Sequence, residues 1–165
     1  MAREVHTTRT VAPATGTTVA AMAVRVQVVI DCHDPDALAH FWADLLGYEL
    51  EPPPPGYDSW EAWLTDHGIP EAEWNSASAI VDPEGVGPRI FLQRVPEPKA
   101  TKNRLHLDMN VGGPRGTPDE ERRAGLDAGV ARAVGLGATK VRFVEERGER
   151  HWTMQDPEGN EFDLQ

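Results

Sequence analysis

The tetrapeptide Asp-Pro-Glu-Gly occurs twice in this chain, at residues 82–85 and again at residues 156–159. Proline suits the second position of a type I turn, and glycine suits the left-handed position that follows, so each copy predicts a hairpin. Around each copy the chain also repeats the same order of strand, helix and three strands. We therefore expect two β-α-β-β-β units, with each turn joining the last two strands of its unit.

The first unit begins with a segment rich in Val and Ile, VRVQVVID at residues 24–31, which predicts a mostly buried strand. Asp34 followed by Pro35 predicts a helix N-terminus, and Gly47 predicts its end. Apolar residues between them recur at helical spacing and give the helix one buried face. Further strands are expected at residues 48–50, 77–82 and 88–95.

The second unit begins with a strand at residues 104–111, whose side chains alternate between two faces. One face carries Leu105, Leu107 and Met109, and the other carries His106, Asp108 and Asn110. Thr117 and Glu120 have the spacing of a capping box, which predicts a helix ending near Gly135 or Gly137. Strands at residues 139–146, 150–155 and 161–165 complete the unit, and the whole predicts the α+β class.

The composition excludes several functional classes. A formal net charge of −11 disfavours binding to nucleic acid or to an anionic membrane surface. Cys32 is the only cysteine, which rules out an internal disulfide and favours the reducing cytoplasm. No apolar run is long enough to span a bilayer. Residues 1–23 are interrupted by threonines, so we predict a flexible tail rather than a signal peptide.

Three segments carry a family resemblance: DCHDPDALAHFWADLLGY, RIFLQRVPEPKATKNRLHLDMNV and HWTMQDPEGNEFDLQ. With them, residues 24–165 resemble the vicinal-oxygen-chelate superfamily, and most of all its glyoxalase-like, bleomycin-resistance-related proteins of actinobacterial type. The resemblance implies two modules, residues 24–98 and 99–165, whose curled mixed sheet encloses a cup-shaped cavity for a small-molecule ligand. This is the glyoxalase/bleomycin resistance/dioxygenase fold. It also implies a homodimer.

The resemblance places the family's metal-ligand positions on Gln27, Gln93, His106 and Asp163. A divalent zinc, nickel, iron or manganese ion suits imidazole and carboxylate, but amides are weak ligands and this set has only one negative charge. Gln93 has no titratable group, so we do not expect glyoxalase I activity. Asp108 and His151 are the candidates for moving protons.

Other residues are candidates for the ligand pocket. Phe91 and Asn110 have the strand parity of the cavity face. Trp60 and Trp63 belong to a long aromatic insertion at residues 51–76. That insertion either packs as a flap or forms a lid that stacks on a flat ligand. A basic cluster at Lys99, Lys102 and Arg104 either lies in solvent or attracts an anionic ligand.

Three functions stay open at this point. The first is a metal-dependent lyase, isomerase or oxygenase, and the second is a metal-free protein that sequesters a drug or natural product. The third is a regulatory domain without turnover. Each candidate ligand also has a structural interpretation. His106 would be a hydrogen-bonded strand histidine, the two glutamines would be buried amides, and Asp163 would lie in a frayed terminus.

Overall fold

The computed structural model describes residues 24–165. These residues form two four-stranded mixed sheets, each with one long helix. The predicted tail at residues 1–23 lies outside the described residues. The predicted α+β class and its two β-α-β-β-β modules are confirmed. Within the described part, no helix is both long and apolar enough to cross a membrane.

Sheet one has the strand order β1-β4-β3-β2, with β1 parallel to β4 and the other pairs antiparallel. The aromatic insertion between β2 and β3 contains a short helix, α2, and a 3-10 helix at Glu71–Ser76. The elements are β1 (Val28–Cys32), α1 (Pro35–Leu46), β2 (Glu49–Leu50), α2 (Trp60–Asp66), β3 (Ala77–Val81) and β4 (Ile90–Arg94).

Sheet two repeats this topology with the order β5-β8-β7-β6, and β5 is again parallel to β8. The remaining pairs in this sheet are antiparallel. Its elements are β5 (Asp108–Met109), α3 (Asp119–Gly135), β6 (Thr139–Glu146), β7 (Glu149–Gln155) and β8 (Glu161–Leu164).

The repeated turn does what its sequence predicts in both modules. The first copy joins β3 to β4 and the second joins β7 to β8. In each copy the aspartate accepts a 2.9 Å hydrogen bond from the backbone N–H two residues on, Asp82 from Glu84 and Asp156 from Glu158. Such an Asx turn offers the carboxylate a local donor and fixes the hairpin geometry.

The predicted capping box of the second helix is wrong. Helix α3 begins after Pro118, which has no side-chain hydrogen bond to the helix. The Thr117 hydroxyl instead donates to the Pro114 carbonyl at 2.8 Å. Because a threonine hydroxyl has this local alternative, its place in the sequence does not decide whether it caps the helix.

Two strands are shorter than predicted. β1 begins at Val28 rather than at residue 24, since its parallel partner β4 begins only at Ile90. β5 is reduced to two residues. The Leu107 and Met109 carbonyls nevertheless accept 2.9 Å hydrogen bonds from the N–H groups of Asp163 and Gln165, so the segment keeps its direction and its face.

The two modules share one hydrophobic core. Trp42 of α1 packs edge-on against Phe162 of β8 with ring centroids 5.2 Å apart, and Phe41 lies 6.2 Å from the same ring. Trp42 and Phe162 are both fully buried. Because the first helix packs against the last strand, the core face of sheet two is covered and its polar face is left on the other side.

Candidate functional site

The polar face of sheet two collects acidic and imidazole side chains from three neighbouring strands. Asp108 of β5 lies in register with Asp163 of β8, and Asp163 lies in register with Thr153 of β7. Residues in register share a face of the sheet. Phe162 and Leu164, on either side of Asp163, are fully buried in the core. The predicted parity of these strands is therefore confirmed.

Asp163 lies between two imidazoles. Its Oδ2 atom is 3.8 Å from Nδ1 of His106 and 3.7 Å from Nε2 of His151. Nδ1 of His106 is also 2.6 Å from Oδ1 of Asp108. The interpretation of Asp163 as part of a frayed terminus is wrong, because β8 is paired through Leu164 and the Asp163 side chain is only 15% exposed.

This donor set fits a divalent metal ion. His106, Asp108 and Asp163 each offer a ligand atom, and the three atoms lie within 4.8 Å of one another. Neighbouring ligands around an ion at about 2.1 Å are about 3 Å apart, which small side-chain rotations reach. Two carboxylates balance the charge of the ion, whereas the ligand set predicted from the sequence had one. The hydrogen bond between His106 and Asp108 also keeps these two side chains together without an ion.

Gln27 is engaged in a network that the sequence did not reveal. Its Oε1 atom accepts a 2.8 Å hydrogen bond from Nη1 of Arg89. The same guanidinium donates two hydrogen bonds to the Glu51 carboxylate, at 2.7 and 2.5 Å, and lies 5.2 Å from the centre of the Phe91 ring. The only signal in the sequence is an arginine directly before an apolar strand, which predicts no particular partner.

The strand registers show which residues of the two modules occupy equivalent positions. In sheet two, the residue two positions after His106 is Asp108, and its partner in β8 is Asp163. In sheet one, the residue two positions after Gln27 is Val29, and its partner in β4 is Phe91. Phe91 therefore holds the place in sheet one that Asp163 holds in sheet two, and it has no ligand atom.

Gln93 lies two residues further along β4, in register with Asp31 of β1 and Ala77 of β3. Asn110 is exposed directly after β5.

The aromatic residues of the insertion contact one another. Trp60 packs edge-on against Trp63 at 5.6 Å, and Trp63 stacks on His67 at 4.0 Å. The Trp60 indole donates a 2.7 Å hydrogen bond to the Glu51 carbonyl, and the Trp74 indole donates to the Ile69 carbonyl. These contacts favour the packed flap over a lid.

In the basic cluster, Lys99 forms a 3.0 Å ion pair with Glu161 of β8. Glu161 also accepts a 2.9 Å hydrogen bond from the Asn103 backbone N–H. Both contacts hold the segment that leads into β5 against β8, so they favour a structural role for Lys99.

The family model described as a glyoxalase-like domain matches residues 27–165 of this chain. This chain belongs to the glyoxalase-like domain family. A search of curated protein sequences finds no significant match to it.

Solved structures share the fold of this glyoxalase-like protein at low sequence identity. A glyoxalase/bleomycin resistance protein/dioxygenase family enzyme from Burkholderia phytofirmans PsJN has a TM-score of 0.53 and 16% identity, covering 84% of this chain and 94% of that one. The fosfomycin resistance protein FosX from Mesorhizobium loti has a TM-score of 0.53 and 11% identity, covering 87% and 91%. FosX from Listeria monocytogenes, in a structure with Mn(II), has a TM-score of 0.54 and 12% identity, covering 87% and 89%.

Proposed function

We propose that this glyoxalase-like protein is a divalent-metal-dependent lyase or isomerase that acts on a small molecule at the polar face of sheet two. The observation that carries the proposal is the position of Asp163 between His106 and His151, with Asp108 hydrogen-bonded to His106. Two imidazoles and a carboxylate form a common ligand set for divalent iron, manganese and zinc.

His106, His151 and Asp163 would hold the ion, and the Asp108 carboxylate beside them would supply a second negative charge without being a direct ligand. All three come from module two, so the centre does not depend on the weak amide ligands of module one. Gln27 would have to give up its hydrogen bond to Arg89 to take part, and Gln93 stays a predicted ligand without a supporting contact. When bound, the ion would polarise a carbonyl or enolate oxygen of the substrate.

Asp108 is the proposed general base. Its side chain is 44% exposed, against 15% for Asp163, so it is the more accessible of the two carboxylates to a substrate proton. Its hydrogen bond to Nδ1 of His106 also orients that imidazole and leaves Nε2 as the nitrogen that would bind the ion. Removing the Asp108 carboxylate should therefore both abolish proton transfer and loosen His106.

Metal analysis of the protein purified without a His-tag tests this proposal. After equilibration with Mn(II), Zn(II), Ni(II) or Fe(II), we expect about one ion per chain in the wild-type protein. His106→Ala, His151→Ala and Asp163→Ala should lose that ion, and Asp108→Asn should bind it about tenfold more weakly. Mn(II) is included because the FosX structure from Listeria contains it.

His40→Ala is the matched control, because His40 is an exposed histidine on α1 whose nearest carboxylate is Asp36 at 3.8 Å. This variant should keep the ion. Wild-type protein that binds none of the four ions, or binds them equally well in His106→Ala and Asp163→Ala, would refute the proposed centre.

The alternative function is metal-free sequestration of a small molecule. The place of Asp163 in sheet one is taken by Phe91, beside the Arg89 guanidinium, which suits a flat ligand better than an ion. Quenching of tryptophan fluorescence by aromatic ligands in metal-free protein, unchanged in His106→Ala, would support this function over the first.

A homodimer in the cytoplasm is part of the proposal. β6 is an edge strand of sheet two, with exposed Val141 and Phe143. Antiparallel pairing of this edge with the same edge of a second copy would satisfy its free backbone groups and cover both side chains. Sedimentation of the wild-type protein and of Phe143→Glu tests this, since the glutamate should yield monomers.

A further inference from the structure

A bulge in β6 changes which face of sheet two its later side chains occupy. Before the bulge, Lys140 pairs with Met154 of β7; after it, Arg142 pairs with Thr153. One extra residue in a strand moves every following side chain to the other face. In an unbroken register Arg142 would pair with Trp152 and lie on the core side. The bulge places it on the polar face instead.

This placement completes a row across the sheet. Asp108, Asp163, Thr153 and Arg142 are paired in sequence across β5, β8, β7 and β6. Neighbouring strands are about 4.8 Å apart, so the backbone of Arg142 is about 10 Å from that of Asp163. Arg142 is on the same face, and an extended arginine side chain is long enough to span much of that distance.

Arg142 also lacks a carboxylate partner in residues 24–165, where it forms no salt bridge. Four arginines are paired, Arg89 with Glu51, Arg122 with Glu149, Arg123 with Asp119, and Arg150 with Asp119 and Glu145. Others in residues 24–165, such as Arg94 and Arg104, also form no salt bridge, so the place of Arg142 on the polar face distinguishes it. The chain has a formal charge of −11, and Arg142 is exposed on the same face as the site. Because its guanidinium forms no salt bridge within residues 24–165, it is available to bind an anionic ligand.

We propose that Arg142 binds an anionic group of the substrate, so that the substrate is a small carboxylate or phosphate ester. The inference rests on the proposed metal centre. There, Asp108 and Asp163 together balance a divalent ion, which leaves the positive charge of Arg142 free for one anionic group. A guanidinium binds such groups through paired, charge-assisted hydrogen bonds. The substrate's reacting oxygens would lie at the His106 and Asp163 end of the row.

A pair of probes that differ by one phosphate group tests the role of Arg142. 3-Phosphoglycerate carries neighbouring oxygens at one end and a phosphate at the other, and glycerate lacks the phosphate. By calorimetry with Mn(II) present, the wild-type protein should bind 3-phosphoglycerate at least about tenfold more tightly than glycerate. Arg142→Gln should lose this preference.

Lys140→Gln is the matched control. Lys140 is on the same strand but before the bulge, and its ammonium lies 5.1 Å from the centre of the Trp152 ring on the opposite face. This variant should keep the preference for 3-phosphoglycerate. An equal loss in both variants would show a general effect of charge, and an unchanged preference in Arg142→Gln would show that another group binds the phosphate. Either result overturns the inference.

A second measurement separates this inference from the proposed function. Inorganic phosphate is titrated into metal-free protein, and the Nε–H signal of Arg142 is followed by NMR, with Arg142→Gln assigning the signal. A shift that saturates supports the anion site even if no metal ion binds at His106 and Asp163, in which case only the proposed function fails. A signal that phosphate does not move, in a protein that does bind the metal, overturns the inference alone.

Discussion

The Trp42 indole donates a 3.3 Å hydrogen bond to Oδ2 of Asp156, across 114 residues of sequence and between the two modules. Asp156 is only 3% exposed. Its carboxylate also accepts from the Glu158 backbone and from both the backbone and the side chain of Asn160. Burial raises the pKa of Asp156, and the donors around it oppose that rise. The second Asp-Pro-Glu-Gly turn thereby fixes the first helix to sheet two.

Asp156→Ala should lower the free energy of unfolding by about 3 kcal/mol, because it leaves buried donors without an acceptor. Urea denaturation measures the change. Asp82→Ala is the matched control in the first turn, where a half-buried aspartate accepts only backbone N–H groups of its own turn. It should cost about 1 kcal/mol. Equal losses would contradict a special role for the second turn.

Glu158→Ala should destabilise the entry to α1. The Glu158 carboxylate accepts from the backbone N–H groups of His33 and Asp34 at 2.7–2.9 Å, and so holds the loop between β1 and α1. We expect a loss of about 1–2 kcal/mol by thermal or urea unfolding. Glu84 is the equivalent residue of the first turn and is exposed, so Glu84→Ala should change stability by less than about 0.5 kcal/mol. The reverse order would exclude this role.

Gly125→Ala should destabilise the protein although alanine is the better helix former. A Cβ atom at position 125 would lie 2.5 Å from the Val111 carbonyl oxygen and 3.1 Å from the Gly112 Cα atom, so the backbone would have to move. We expect a loss of about 1–3 kcal/mol in urea unfolding. A Cβ atom added at Gly135, at the end of the same helix, would meet no atom within 4 Å. Gly135→Ala should therefore be neutral or stabilise the protein by up to about 1 kcal/mol. Similar effects at both positions would refute the close contact.

Cys32 should be unreactive in the folded protein. It is 2% exposed, and burial, followed by the nearby Glu158 and Asp156 carboxylates, raises the pKa of its thiol to about 12. Because only the thiolate reacts, a disulfide reagent at pH 8 should modify this single cysteine in denaturant and leave it largely unmodified without denaturant.

The raised pKa of Cys32 also has a consequence for stability. Between its ordinary value of 9.0 and about 12, the unfolded chain has released the thiol proton and the folded protein has not. Stability is therefore lost as the pH rises through this range. Cys32→Ala should show a smaller loss between pH 9 and 11, and an identical pH dependence would contradict the shifted pKa.

Local patterns predicted a large part of the fold. Asp34 caps α1 through the Ala37 N–H, and Gly47 ends that helix with a φ of 74°. The alternation around His106 and Asp163 correctly predicted that both side chains lie on the polar face. These features depend on neighbouring residues alone, since caps, turns and strand parity follow from backbone geometry within a few positions.

Sequence patterns failed where more than one partner competes for the same group. The Thr117 hydroxyl bonds to a carbonyl in its own loop rather than capping α3, and Gln27 bonds to Arg89. The place of Arg142 on the polar face depends on a bulge, which shifts the register between β6 and β7. Residue spacing within one strand does not reveal a register that is set by its partner.

The sequence by itself determined two repeated modules, their turns, the first helix and the polar character of the strands that carry His106 and Asp163. Only the tertiary structure brought His151 to Asp163, gave the cluster its second carboxylate and put Phe91 in the place of a ligand. The physical reason is that a side chain's face is a local property of its strand, whereas its neighbours across a sheet depend on pairing between strands far apart in the chain.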